Sequence, residues 1–247
     1  MENALLIGLS RQVALSRELD VIANNVANIG TTGFKSRSLR FEEYLMPKAS
    51  GDAFPRPDKP MSYVQDKNTV LDMSGGAIER TGNPLDVAIN GDALFTVSTP
   101  KGERYTRNGA LQINSRGALV TSDGFPIVGD GGPVTFTGTE KFIAIGPDGT
   151  ISTEDGAKGK LKLVSPGDPK ALRNEGANLY ASDAPLRPAP KETRVESGAL
   201  ERSNVKPVLE MSRLIEVNRS YATVSAMLQR NDDMRRSAIE KLASIPS

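Results

Sequence analysis

The 247-residue chain has no cysteine, no histidine and no tryptophan, and only 5% of its residues are aromatic. Without Cys or His there are no disulfides, thiolate nucleophiles or imidazole bases, and the usual zinc and haem ligands are missing together. Most hydrolase triads and transition-metal sites are thereby excluded, and no cofactor is expected. The shortage of aromatic side chains removes the groups that normally stack on bases, line sugar grooves or anchor compact binding hot spots. An excess of one charge sign is also lacking. Thirty-one Lys and Arg against thirty Asp and Glu leave a formal net charge of +1, so no nucleic-acid partner is expected. Long apolar runs are absent too. The first apolar stretch, Ala4 to Leu9, is six residues long, follows Glu2 and lacks a basic leader or small-residue cleavage site. Neither a cleaved targeting signal nor direct membrane insertion is expected. A cysteine-free chain fits either redox compartment, so cytosolic residence and export with an intact N-terminus both stay open. What the chain does have is glycine, at 23 residues, proline, at 16, and a 38% hydrophobic content that can support a core.

Apolar spacing is most regular at the two ends. Leu5, Gly8, Gln12, Leu15, Leu19, Ile22, Val26 and Ile29 recur at three and four, which is one stripe along a helix with two weak positions. That helix is predicted to stop near Asn28, with Gly30 as a left-handed C-terminal cap. Near the other end Leu214, Val217, Tyr221, Val224, Leu228, Asn231, Arg235, Ala238, Leu242 and Ile245 repeat without a slip, a heptad seam. Ser203 or Asn204 can cap this second helix, and Pro207 is tolerable only in its first turn. Glu216 with Arg219 and Asp232 with Arg236 are helix-spaced opposite charges on its outer face.

The middle of the chain has a different texture. Met46 to Pro60, MPKASGDAFPRPDKP, suits an extended connector. From about Val64 to Asp183 short apolar runs are separated by the turn pairs Asn90-Gly91, Lys101-Gly102, Asn108-Gly109, Arg116-Gly117, Asp123-Gly124, Asp130-Gly131 and Asp148-Gly149. Such punctuation without a helical period predicts an antiparallel all-β region of sandwich or barrel type. A Pro-rich return, Asp183 to Lys191, leads back toward the C-terminal helix. The fold class is therefore α+β: long N- and C-terminal helices paired in a coiled-coil-like inner layer, with a central all-β domain. The predicted divisions are 1–35 for the N-terminal helix and turn, 36–63 for an extended linker, 64–196 for the β domain and 197–247 for the C-terminal helical segment.

A search for chemistry finds little. Ser203-Asn204-Val205-Lys206 matches S-x-x-K, but the companion S-D-N and K-T-G motifs are missing and the serine suits a helix cap. Gly129 to Gly132, GDGG, is not followed by Lys-Ser/Thr or a helix, so it reads as a turn. No Asp-Gly pair carries the ladder of a calcium loop.

The segment Ala23 to Lys35, ANNVANIGTTGFK, stands apart. Asn24, Asn25 and Asn28 crowd the last turns of a helix although Asn is a poor helix former. Two readings are open: plain helix termination, or amide side chains that hydrogen-bond across to neighbouring helices and fix register. One apolar stripe offsets little of the entropy of ordering so long a helix, so the stripe needs a partner surface. The C-terminal seam is the first candidate and further copies of the chain are the next.

This segment resembles the N-terminal hallmark of the axial rod and hook proteins of the bacterial flagellum. Thr81 to Val97, TGNPLDVAINGDALFTV, Tyr105 to Ile127, YTRNGALQINSRGALVTSDGFPI, and Ser197 to Val205, SGALERSNV, are similar to later blocks of the same family. Together they reach across nearly the whole chain. The compact length, single β region and Gly159 to Val164, GKLKLV, look most like the proximal rod members. The distal rod members are the alternative, although Lys206 follows Val205 where their closing block continues SNVN. The resemblance implies a non-enzymatic structural subunit: an inner layer of paired helices, an outer β domain, and stacking with axial neighbours into a helical rod that crosses the periplasm and transmits torque to the hook. Its implied partners are other rod subunits, copies of itself and the flagellar export apparatus, with export that leaves the N-terminus uncleaved. The subunit interface is then expected at Leu5, Leu15, Leu19, Ile22, Asn24, Asn25, Val26 and Asn28, and at Leu214, Val217, Tyr221, Val224, Leu228, Asn231, Arg235 and Leu242. The rival from another class is a soluble enzyme or binding protein dimerised by its terminal helices.

Overall fold

The computed structural model describes residues 2–45, 62–137, 140 and 142–243, and the chain divides into two compact units. Among the described residues, those within 2–26, 37–45, 62–70 and 207–243 form one unit, which is mainly helical, and those within 27–36 and 71–206 form the other, which is β. The fold class is α+β, as predicted.

The helical unit contains α1, Glu2–Ala27, and α2, Pro207–Ala243. At 37 residues α2 is about 55 Å long. Pro207 occupies the first helical position, where a missing N–H leaves no bond unmade. Strand Arg37–Leu45 pairs with strand Ser62–Leu71 and lies within the stretch predicted to be extended linker. The Pro-rich stretch predicted as its centre, residues 46–60, lies outside the described residues.

In the β unit the largest sheet has six strands in the order Leu172–Asn174, Leu179–Ser182, Gly102–Thr106, Leu94–Thr99, Leu163–Ser165 and Arg187–Pro188. All its pairings are antiparallel. Smaller antiparallel pieces include the hairpin Leu111–Ile113 with Leu119–Thr121 and the three-stranded sheet Ile143–Ile145, Thr150–Thr153 and Gly156–Lys160. The turn pairs Lys101-Gly102, Arg116-Gly117 and Asp148-Gly149 stand at strand connections, as their sequence predicts. Asn108-Gly109 connects Gly102–Thr106 to Leu111–Ile113, which belong to different sheets and form no hairpin. There the Asn108 side chain is buried and bonds the Ala110 N–H and Ser122 Oγ, so it organises a loop in the core. The GDGG sequence is the tight turn between Val128–Gly129 and Gly132–Pro133.

Two apolar clusters fill this unit. Val87, Ile89, Phe95, Val97, Leu111, Leu119, Ile127, Ile151 and Leu161 are each at most 2% exposed and belong to a single cluster. A second cluster of Leu71, Leu94, Val164, Leu172 and Tyr180 lies beside the six-stranded sheet. Strand alternation accounts for this, because neighbouring side chains such as Leu94 and Phe95 enter opposite clusters.

Both chain ends of the β unit depart from the predicted boundaries. The helix stops at Ala27 and the Asn28 carbonyl accepts the Thr31 N–H at 3.2 Å, but Gly30 is not the left-handed residue. Gly33 is, at φ +64°. A side chain there would lie 2.4 Å from the Arg107 backbone carbonyl, so the position needs glycine for both conformation and space. At the other end Ala199–Glu201 is a strand paired with Ile78–Arg80. Asn204 does not cap α2. Its Oδ1 accepts the Ser36 N–H at 2.7 Å, and its amide donates to the carbonyls of Asp72 and Ser74.

Candidate assembly surface

Within the helical unit α1 and α2 run antiparallel. Leu15 and Ile22 pack with Val217, and Leu19, Val26, Leu214, Tyr221 and Val224 close around them. Polar contacts repeat the same register. Asn25 Nδ2 donates to Glu210 Oε2, Arg213 bonds Glu18, and Gln12 Nε2 donates to Ser225 Oγ at 3.1 Å and Tyr221 Oη at 3.3 Å. The two positions that look weak in the stripe are contacts as well. Gln12 makes these hydrogen bonds, and Gly8 is the surface on which Leu228 rests, since a Cβ there would come within 2.8 Å of Leu228 Cδ2.

The three asparagines separate. Asn25 is 1% exposed and its amide brackets Arg37, donating to the carbonyl at 2.9 Å and accepting the N–H at 3.0 Å, in addition to reaching Glu210. It satisfies the cross-bonding reading. Asn28 satisfies the other, because its Oδ1 accepts from Thr31 Oγ1 in the turn that ends the helix. Asn24 is half-buried. Along α2, Asn231 and Arg235 are half-buried too, while their helix neighbours Met234 and Ile239 are exposed. The side chains of Leu5 and Leu242 lie outside the described residues.

Pairing leaves a second apolar stripe uncovered on each helix. On α1 it is Leu6, Leu9 and Val13, and on α2 it is Val208, Met211 and Ile215, both at spacings of i, i+3 and i+7. All six are at least 45% exposed, and Val208 is 82% exposed. Scattered exposed hydrophobics are ordinary, but a periodic stripe marks a surface made for burial. The sequence carries the signal in the same spacing that identifies the seam; reading only one stripe per helix misses it.

In the β unit three sequence blocks meet at one point. Glu201 Oε1 accepts from Lys35 Nζ at 2.7 Å and from the Gly76 N–H at 2.8 Å, while Oε2 accepts from Arg107 Nε at 2.5 Å. All three charged side chains are 4% exposed or less. Arg107 also donates to the carbonyls of Ile89, Gly91 and Ala93, and Lys35 adds the Ser74 carbonyl. Burial drives the Lys35 pKa below its usual value against the opposing pull of Glu201. Burial acts to raise that of Glu201, but the charge of Arg107, the Lys35 hydrogen bond and the Gly76 N–H together hold it below the ordinary carboxylate range. In the sequence these residues sit inside the motifs GFK, YTRNG and GALER, with no periodicity that gives them a role. A charged residue embedded between Gly, Phe and Ala, as in GFK and GALER, is the available signal.

Catalytic alternatives find no geometry. Ser203 Oγ accepts the Val205 N–H in a local turn. Among the described residues no three acidic side chains converge as a metal site, and no helix is long and apolar enough to cross a membrane.

Three family descriptions match along the chain: "Flagella basal body rod protein" at residues 5–35, "Flagellar hook protein FlgE/F/G D1 domain" at 88–153 and "Flagellar basal body rod FlgEFG protein C-terminal" at 196–241. The chain is 39% identical to the flagellar basal-body rod protein FlgF of Caulobacter vibrioides, over 99% of this chain and all of that one. The chain belongs to the flagellar basal-body rod protein family. It is 34% identical to the FlgF of Mesorhizobium japonicum, over 99% of both chains, and 29% identical to the FlgG of Bacillus subtilis, over 95% of this chain and 97% of that one. This rod protein is FlgF-like, and the FlgG alternative is matched no better. It is a structural component of the flagellar basal body and, like the rod proteins it resembles, not an enzyme. The first and last matched segments coincide with α1 plus its turn and with the closing strand plus α2.

Proposed function

We propose that this rod protein builds the drive shaft of the flagellum by packing its paired terminal helices, as a coiled-coil-like inner layer, against those of axial neighbours. The observation that carries the reading is the pair of uncovered stripes, Leu6, Leu9 and Val13 on α1 and Val208, Met211 and Ile215 on α2. The seam from Leu15 to Val224 is occupied by the chain's own two helices, which leaves the outward stripes for other subunits. Partners are copies of this chain and other rod subunits, in the periplasmic part of the basal body, reached through the flagellar export apparatus with the N-terminus intact. The sixteen residues expected at the interface act in two ways. Those of the seam set the shape of the helix pair, and the polar residues Asn231 and Arg235 near its far end select the register of a neighbour. Head-to-tail contacts of this kind generate open helical tubes, and long overlapping helices resist twist because each must slide against several others.

The test is assembly with a variant that spares the seam. Val208→Ser/Ile215→Ser in the full chain should be exported and folded yet fail to form rods visible by electron microscopy, with loss of swimming. Normal rods and normal swimming would show that these stripes are not interfaces.

A further inference from the structure

We propose that Glu201 is the closing residue of the β unit: by its single charge set against Lys35 and Arg107 together, it locks the segment leaving α1 to the segment entering α2, and without it the unit holds two unmatched buried cations. The two segments touch directly inside the unit. The Gly33 N–H donates to the Glu201 carbonyl at 2.7 Å, the Asn204 N–H to the Phe34 carbonyl at 3.3 Å, and the Ser36 N–H to Asn204 Oδ1. Glu201 is thus bound through its backbone to one segment and through its carboxylate to both cations.

Charge makes the device conditional. Lys35, Arg107 and Glu201 are all buried, so the cluster carries a net +1 that four backbone carbonyls, those of Ser74, Ile89, Gly91 and Ala93, help to accommodate. Remove the carboxylate and two cations share one dry pocket, which is far costlier than an ion pair that never formed. Glu201 lies 94 residues beyond Arg107 and 166 beyond Lys35. A chain lacking the 199–204 block therefore holds a β unit with unmatched interior charge, whatever the quality of its apolar core. The β unit stays open until the segment leading to α2 docks, and both segments are then fixed in one step.

A double-mutant test separates charge pairing from packing. In the full chain, amide hydrogen exchange over Leu94–Thr99 and Leu119–Thr121 reads the opening of the β unit. Glu201→Gln should lower protection there on the order of 10²–10³-fold. Lys35→Met/Glu201→Gln restores the native net charge of +1 and should recover protection at least tenfold relative to Glu201→Gln alone. If the double variant is as unprotected as the single one, or worse, Glu201 acts through packing and the proposal is overturned. Should Glu201→Gln fail to fold at all, a folded, soluble double variant supports the proposal and an equally unfolded one overturns it.

Discussion

The two units solve the burial problem in opposite ways. The β unit closes on itself, with side chains such as Val97, Leu119, Ile127 and Ile151 at zero exposure and two apolar clusters flanking one sheet. The helical unit centres its seam on one small apolar cluster, Leu15, Ile22 and Val217, and displays a second stripe on each helix. A 37-residue helix backed by so short a seam gains little from its own chain. The difference teaches that stability and assembly are assigned to different parts of this molecule: one part is finished as a monomer, and the other is finished by its neighbours.

Four perturbations break or sharpen that contrast, in decreasing order of effect. Phe95→Ala in the β core should cost about 3–5 kcal/mol and lower the urea midpoint of the β unit equally in free and assembled protein. An effect seen only in one state would mean that this core is not self-sufficient. Val217→Asp puts a charge at a position 6% exposed in the seam and should abolish rods, at about 2–4 kcal/mol per subunit, while leaving β-unit exchange unchanged.

Acid comes next. The Glu201 pKa is held below the ordinary carboxylate range by Arg107, Lys35 and the Gly76 N–H, so its contribution is complete above that range and is lost as pH falls through the lowered folded value. Lys35 is also shifted down; its folded form binds protons less readily than the unfolded chain, so stability from this group rises as alkaline pH passes its folded value toward 10.5. β-unit stability measured by urea melts should therefore fall in acid, and Glu201→Gln should flatten that acid limb. The smallest effect is expected from Ile215→Ser on the free chain, within about 0.5 kcal/mol, although the same change weakens assembly. A large loss of free-chain stability would place Ile215 in the chain's own core.

The sequence reveals the helices and the β character because both rest on local periodicity. The seam residues Leu15, Ile22, Val217 and Val224 meet as their spacing predicts. Less legible were the ends of the β unit. Lys35 and Glu201 are distant in sequence and neither shows an apolar pattern, yet together with Arg107 they draw residues 27–36 and 199–206 into the β unit. Gly30 stands where a left-handed cap is expected just past the helix, but the tight approach of Gly33 to the Arg107 backbone decides which glycine turns left-handed. The Asn segment held two answers at once, since Asn25 crosses to Glu210 and Asn28 ends the helix.

Hydrogen exchange on a verified monomer and on assembled rods tests the central claim most directly. The account predicts slow exchange over Leu94–Thr106 and Leu119–Thr121 in both states, with α1 and α2 exchanging fast in the monomer and slowly in the rod. Slow exchange across Leu6 to Val26 and Leu214 to Lys241 in the monomer would contradict it, because the helices would then be complete without their neighbours.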